Sequence, residues 1–145
     1  QKEGKKRMKA NYDVDLVKEI MNPRVVTTTR EKGFAESINL MRKRNVDSLV
    51  VLDDEGRLEG VVTVENLRAV AGKKHIAQIG EVEMKSVPTI SMNAQAREAF
   101  DTLITEKLPF LLVVDSKERV KGLVSKTSLV KALAGVVWRD DEDDE

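Results

Sequence analysis

The sequence predicts an α/β fold built from two β-α-β-β-α repeats packed with pseudo-two-fold symmetry. Three observations predict it. First, "GVVTVENL" at residues 60–67 is echoed by "GLVSKTSL" at 122–129, and the match runs without a gap from 25–67 onto 87–129, an offset of 62. Self-similarity at a fixed period marks a duplicated structural unit. Second, "LVVLD" and "LLVVD" are apolar runs of strand length without alternation, which implies strands buried on both faces. Third, a unit of roughly 60 residues buries too little surface to be stable alone, so two copies sharing a core supply what each lacks.

The elements follow in order. Residues 1–13 read as a basic linker and a leading helix is expected near 14–21, opening the first repeat, 14–72. A short β-rich run at 25–28 precedes a helix whose apolar residues Phe34, Ala35, Ile38 and Met41 fall at helical spacing. "LVVLD", the turn "DDEGR" and "LEGVVT" then form a hairpin. Thr63 is a good N-cap for the closing helix and Gly72 a good terminator. Residues 73–84 connect the copies. The second repeat, 85–136, repeats the pattern: a strand at 88–91, Asn93 as N-cap, and Ala96, Ala99, Phe100, Leu103 and Ile104 as the buried stripe. "LLVVD", "DSKER", "VKGLVS" and a helix from Ser125 to near Gly135 complete it. Residues 137–145 form an acidic tail.

Composition sets the outer bounds. The 145 residues carry 25 Lys plus Arg and 25 Asp plus Glu, a net charge of zero, so there is no global attraction to nucleic acid or anionic lipid. The charge is segregated, with "QKEGKKRMK" at one end and "RDDEDDE" at the other. No cysteine is present, which excludes disulfides, a thiolate nucleophile and Cys-type zinc. No run of roughly 18 apolar residues and no signal-peptide pattern occurs. A chain opening on Gln1 with a linker-like stretch is expected to be a piece of a longer protein.

The repeated turn is where chemistry is expected. At Gly60, Thr63 and Asn66 a strand ends, a hydroxyl caps a helix, and an amide follows three residues on. Backbone N–H groups and the positive helix end attract an anion such as phosphate, and a glycine in the strand admits close approach by another group. Gly122, Ser125 and Ser128 repeat the layout. The competing reading is that both hydroxyls are helix caps and nothing more.

With "VVTTT" and "VPTIS" opening the copies, and "SLVVLDDEGRLEGVVTVENL" matched by "FLLVVDSKERVKGLVSKTSL", the chain resembles a tandem pair of CBS (cystathionine β-synthase) domains. The resemblance implies a regulatory module that binds adenosine-containing ligands and associates as a homodimer. It assigns Thr63 and Ser125 to phosphate, and Asn66 and Ser128 to the ribose position usually held by Asp. Thr27, Thr89, Ser48, Leu49, Phe110 and Leu111 match segments that line the base pocket. Asn lacks a carboxylate's charge-assisted hydrogen bonds and Ser is short, so both copies depart from the family there.

More narrowly, "DVDLVKEIMNP", the compact pair and the acidic end after "LAGVVW" are similar to the regulatory pair on the ATP-binding subunit of bacterial ABC importers for glycine betaine, carnitine, choline or proline. That resemblance implies a cytoplasmic module at the inner face of the membrane, tied to an ATPase domain and permease subunits, and responding to ionic strength or cyclic di-AMP. Cyclic di-AMP is then expected ahead of AMP or ATP as ligand, with no resident cofactor. The tail at 140–145 becomes an electrostatic lever in this reading, because screening shortens from about 10 Å at 0.1 M salt to about 3 Å at 1 M.

Other features carry less. The phosphate-binding loop G-x-x-x-x-G-K-[ST] is absent, so no catalytic residue is assigned and ATP hydrolysis is expected elsewhere in a parent chain. Asp53, Asp54 and Glu55 occupy a predicted turn and read as solvated. His75 stands without Cys or a second His, so no metal site is expected. Trp138 either docks against a partner or covers the domain end. An interaction module with empty clefts, or nucleic-acid binding through the basic run at 2–9, are the alternatives.

Overall fold

A computed structural model describes residues 5–8, 15–73, 77–134 and 137–140. His75, Gly135, the rest of the basic linker and the acids beyond Asp140 lie outside the described residues. The chain divides into two compact units, Val25–Pro88 with Ser116–Val120, and the residues up to Arg24 with Thr89–Asp115 and from Lys121 onward.

The first unit holds the first copy. Strand β2 (Thr27–Thr29) pairs in parallel with β3 (Ser48–Leu52), and β3 pairs antiparallel with β4 (Leu58–Thr63). Helix α2 (Phe34–Arg44) crosses between β2 and β3, and α3 (Val64–Val70) follows β4. A parallel pair needs such a crossover, whereas an antiparallel pair closes by a tight turn. That turn is "DDEGR". The Asp53 carboxylate accepts from the backbone N–H of Glu55 and Arg57, both at 2.9 Å, and Gly56 takes φ +83°, a conformation glycine adopts without steric cost. Helix α2 ends at Asn45 in the left-handed conformation, φ 55°, which Asn tolerates. Buried Met41, Leu49, Val51, Val62 and Leu67 form one cluster with Ile79 and Val82. Both helices thus cover the same sheet face.

The second unit holds the second copy. Strands β5 (Thr89–Ser91), β6 (Phe110–Val114) and β7 (Val120–Ser125) form the sheet, β5 parallel to β6. Helix α4 (Ala96–Thr105) crosses between β5 and β6, and α5 (Lys126–Leu133) follows β7. In its core Leu103, Leu111, Val113 and Val124 repeat Met41, Leu49, Val51 and Val62 at the offset of 62, and Ala96, Ala99 and Phe100 of α4 join them.

The leading segments are exchanged. Short helix α1 (Val17–Ile20) precedes the first copy yet packs in the second unit, with Val17 N–H donating to Ala94 O at 2.8 Å. The 3-10 turn Ile79–Glu81 packs in the first unit, with Ile79 N–H donating to Lys32 O at 2.9 Å. Each turn is closed alike: Leu16 N–H donates to Glu19 Oε1 and Gln78 N–H to Glu81 Oε1.

Several expectations are corrected. Helix α4 begins at Ala96 with Gln95 as its N-cap, and Asn93 N–H instead donates to Ser91 Oγ at 3.1 Å, holding the turn before it. Ala35 and Ile38 face solvent, and the buried face of α2 carries Ser37 and Met41. Ile104 is exposed, although the rest of its stripe is buried. Within the linker and tail, Lys5–Met8 (β1) and Val137–Asp140 (β8) pair antiparallel as a two-stranded ribbon. Backbone pairing of this kind places no demand on the charge pattern from which a linker and a tail were read.

Candidate functional site

Each unit gathers half of the candidate residues. In the first, Ser48 opens β3 directly opposite Thr63, the last residue of β4, and Thr27 opens β2 opposite Val50. Cross-strand partners share a face and alternate residues change face. Thr27, Ser48 and Thr63 therefore stand at one end of the sheet, on the face away from α2 and α3. Leu49 points the other way and is fully buried in the core cluster, so its side chain is withdrawn from that group.

The second unit follows the same logic. Thr89 opens β5 opposite Leu112, which shares a face with Phe110 at the start of β6. Phe110 is half-buried, whereas Leu111 is buried in the core. Ser125 ends β7.

At the strand-to-helix turns the polar groups bond to one another. Thr63 Oγ1 accepts from Asn66 N–H at 3.2 Å, and Asn66 Oδ1 accepts from the Thr63 backbone N–H at 3.0 Å and from the Thr63 hydroxyl at 2.9 Å. This is a capping box with Asn in the place of the usual Glu. The backbone donor at Thr63 fixes which side of the amide faces inward, so the Asn66 NH2 group is the side left for another partner. In the second copy Ser128 Oγ accepts from Ser125 N–H at 3.2 Å, one arm of the same box.

The glycines are accounted for by the chain itself. A Cβ on Gly60 would sit 2.8 Å from Met84 Cβ, and one on Gly122 would sit 2.6 Å from Met21 Sδ and 2.9 Å from Asn22 O. Here Lys85 exchanges both backbone hydrogen bonds with Val61, and Asn22 does so with Leu123. The exchanged leading segments thus run along β4 and β7, and they fill the space that the sequence left open for some approaching group. The signal was the Met that precedes each crossing residue, Met21 and Met84, which the repeat comparison begun at residue 25 does not reach.

Electrostatic features lie elsewhere. Asp53 holds Arg57 at 2.9 Å and Glu55 contacts the same guanidinium at 2.5 Å. The Asp53 carboxyl is held below its ordinary range, chiefly by the Arg57 backbone N–H. Arg30 and Glu59 pair at 3.4 Å beside a groove lined by Gly80, Val82 and Met84. No candidate residue lines that groove. Among the described residues no cluster of His, Cys, Asp or Glu could hold a metal.

Comparison with known proteins follows the repeat. The CBS domain matches residues 17–72 and again 79–135. The glycine betaine/carnitine/choline transport ATP-binding protein OpuCA of Bacillus subtilis is 30% identical over 140 residues, covering 96% of this chain and 36% of that protein. The choline transport ATP-binding protein OpuBA of the same organism is 32% identical over 141 residues, again covering 96% and 36%. The chain therefore spans little more than a third of these relatives. Among solved structures, Staphylococcus aureus OpuCA superposes with TM-score 0.70 at 19% identity, over 79% of this chain and 96% of that one. CBSX2 of Arabidopsis thaliana, solved in complex with AMP, gives 0.69 at 22% identity, over 83% and 96%. At these identities the likeness is one of fold.

Proposed function

The chain belongs to the CBS-domain family, two copies in tandem, and on that footing we propose that it is the ligand-sensing regulatory module of an ATP-driven importer of quaternary-amine osmoprotectants. It senses an adenine nucleotide, cyclic di-AMP ahead of AMP and ATP, and works as a homodimer. One observation carries the importer reading: transport ATP-binding proteins align over 96% of this chain while only 36% of their own length is covered. A regulatory piece attached to a separate ATPase domain fits those proportions. No described helix is long and apolar enough to cross a membrane. In the importer reading the module sits at the cytoplasmic face, attached through the parent's ATPase domain and permease subunits.

The nucleotide reading rests on the duplicated turn. Thr63 with Asn66, and Ser125 with Ser128, each stand where a strand delivers the chain into a helix. With its oxygen turned inward, Asn66 offers N–H donors, which suit phosphate oxygens or ring nitrogens better than a ribose hydroxyl that needs an acceptor. Thr27 and Ser48 lie at the same sheet end, and Thr89 and Phe110 at the corresponding end of the other sheet. A ligand carrying two adenines and two phosphates makes use of such contacts twice.

Calorimetric titration of the chain with cyclic di-AMP, AMP and ATP tests this. Saturable binding of cyclic di-AMP is expected, weakened by about 1 kcal/mol or more for each hydrogen bond removed by Thr63→Val or Ser125→Ala. Absence of heat from all three ligands, with the protein folded, overturns it. One observation favours a second reading. The Thr63 hydroxyl and backbone N–H and the Asn66 oxygen already satisfy one another, as they would in a purely structural cap. In that case the pair is a dimerising, salt-responsive interaction module, and no nucleotide binds.

A further inference from the structure

In the first unit Glu59 has no residue opposite it. Gly60 pairs with Val51 and Leu58 with Leu52, so Glu59 is the extra residue of a β-bulge. Bulges re-aim side chains and recur beside binding sites. The Glu59 carboxylate meets Nε of Arg30, the residue that follows β2, at 3.4 Å. The Arg30 carbonyl accepts from Gly80 N–H at 2.9 Å, and a Cβ on Gly80 would stand 3.0 Å from Arg30 Cβ. Gly80 thus lets the 3-10 turn lie against Arg30. Buried Val82 and half-buried Met84 complete a groove of about 450 Å³ within this unit, a size found among small-molecule sites.

The second copy does not repeat this chemistry. Lys18 N–H donates to Met92 O just as Gly80 N–H donates to Arg30 O, so Lys18 stands for Gly80 and Met92 for Arg30, and the offset of 62 puts Lys121 in the place of Glu59. At these positions only the first copy brings a guanidinium and a carboxylate together. Stability does not account for the pair. At 3.4 Å, with side chains 48% and 30% exposed, it is long for a hydrogen bond and of a kind that contributes little. Among the described residues neither side chain has another ion pair or hydrogen bond, which leaves the Arg30 Nη donors and one Glu59 oxygen unengaged at the groove.

We propose that this groove binds a small zwitterion carrying a carboxylate and a fully methylated ammonium. The Arg30 guanidinium receives the carboxylate, which its forked donors suit, and Glu59 receives the positive charge. A simple anion meets a like charge at Glu59 and a simple cation meets one at Arg30. A zwitterion pairs with both. The floor decides the ammonium. A primary ammonium brings three N–H donors that need acceptors, and the Val82 and Met84 side chains supply only a weak thioether. Methyl groups need none and cover that apolar surface. Under the importer reading compounds of this class are the cargo, and the module then reads imported cargo as well as nucleotide. The binding itself rests on the groove, and only its regulatory meaning rests on that reading.

Amide-resolved NMR titration of the chain with glycine betaine tests it. Saturable shifts are expected at Arg30, Glu59, Gly80 and Val82, with affinity at least about tenfold above that for glycine, choline or acetate. Arg30→Gln and Glu59→Gln should each weaken binding about tenfold. Arg30→Met with Glu59→Lys installs the second-copy residues at these positions and should abolish binding in a chain that stays folded by circular dichroism. Should that pair unfold the chain, the single Gln variants decide. Shifts that rise linearly along the whole chain, choline binding as tightly as glycine betaine, or an affinity unchanged by a folded Arg30→Gln variant overturns the site. Cyclic di-AMP is titrated separately. Its binding without that of glycine betaine overturns the groove alone, and the reverse result overturns the nucleotide reading and leaves the groove standing.

Discussion

The two copies are written on one backbone plan but buried to different depths. At the same turn of the crossover helix the second copy places Phe100, 1% exposed, and the first places Ile38, 40% exposed. One residue earlier the second copy buries Ala99 and the first buries Ser37, whose hydroxyl finds no partner. Left-handed residues recur at the same repeat positions, Asn45 and Lys107 at φ 55°, Gly56 at 83° and Glu118 at 65°. Backbone geometry survives duplication more faithfully than side-chain chemistry. The second copy has the more apolar core helix, and the first copy's turn, with Gly56, has the cheaper backbone.

The largest test of this difference is truncation at one repeat position in each copy. Phe100→Ala is expected to cost about 3–5 kcal/mol, because it removes a large ring from a closed core and leaves a cavity. Ile38→Ala removes a side chain already in contact with water and is expected to cost under about 1 kcal/mol. Urea unfolding followed by circular dichroism measures both. Equal shifts in midpoint would mean that the two crossover helices are equally important to their units, contrary to their burial.

A second test exchanges the neighbouring residues. A buried hydroxyl without a partner costs about 1–3 kcal/mol, so Ser37→Ala is expected to stabilise the chain, by about 1 kcal/mol once the lost packing contacts are counted. Ala99→Ser should destabilise by a similar amount unless the new hydroxyl reaches a backbone carbonyl one turn back. If Ser37→Ala destabilises instead, the hydroxyl has a partner in solution and the cores are more alike than their residues suggest.

Ser37 also shows where the sequence stops being legible. The central strands were readable because "LVVLD" and "LLVVD" admit little but burial, and the cap at Thr63 because a hydroxyl at a strand-to-helix turn has few other tasks. The face of α2 was misread because periodicity ranks residues by type. It favours Ile38 over Ser37, while the sheet decides which of them is covered. The exchange of leading segments was hidden for a different reason. Val17 and Ile79 are apolar in either arrangement, and linear order does not say which sheet a one-turn helix will reach. The same holds for the site. Residue types pointed to Gly60 and Gly122, but only the backbone pairing of Lys85 and Asn22 shows what those glycines make room for.

The smallest expected effect concerns the first-copy hairpin. Asp53 accepts from two backbone N–H groups and from the Arg57 side chain, and its carboxyl is held below the ordinary value of 3.8. Its lowered folded pKa sets the sign. The contribution to stability is fully present above about 3.8, the unfolded value, and is lost as pH falls below that through the folded value, because the unfolded chain then binds the proton more readily. The Asp53 side chain is partly exposed and its Arg57 partner more so, so the effect on global stability is expected to be slight and to shrink with salt. NMR titration reads it locally: the Glu55 and Arg57 amide resonances should follow the Asp53 carboxyl with a midpoint below 3.8. Asp53→Asn should abolish that shift, since the amide keeps an acceptor oxygen for the turn but carries no titrating proton. A midpoint at or above 3.8 in wild type would mean that the backbone donors do not favour the charged form, and that the first-copy turn is held by Gly56 and its ladder bonds alone.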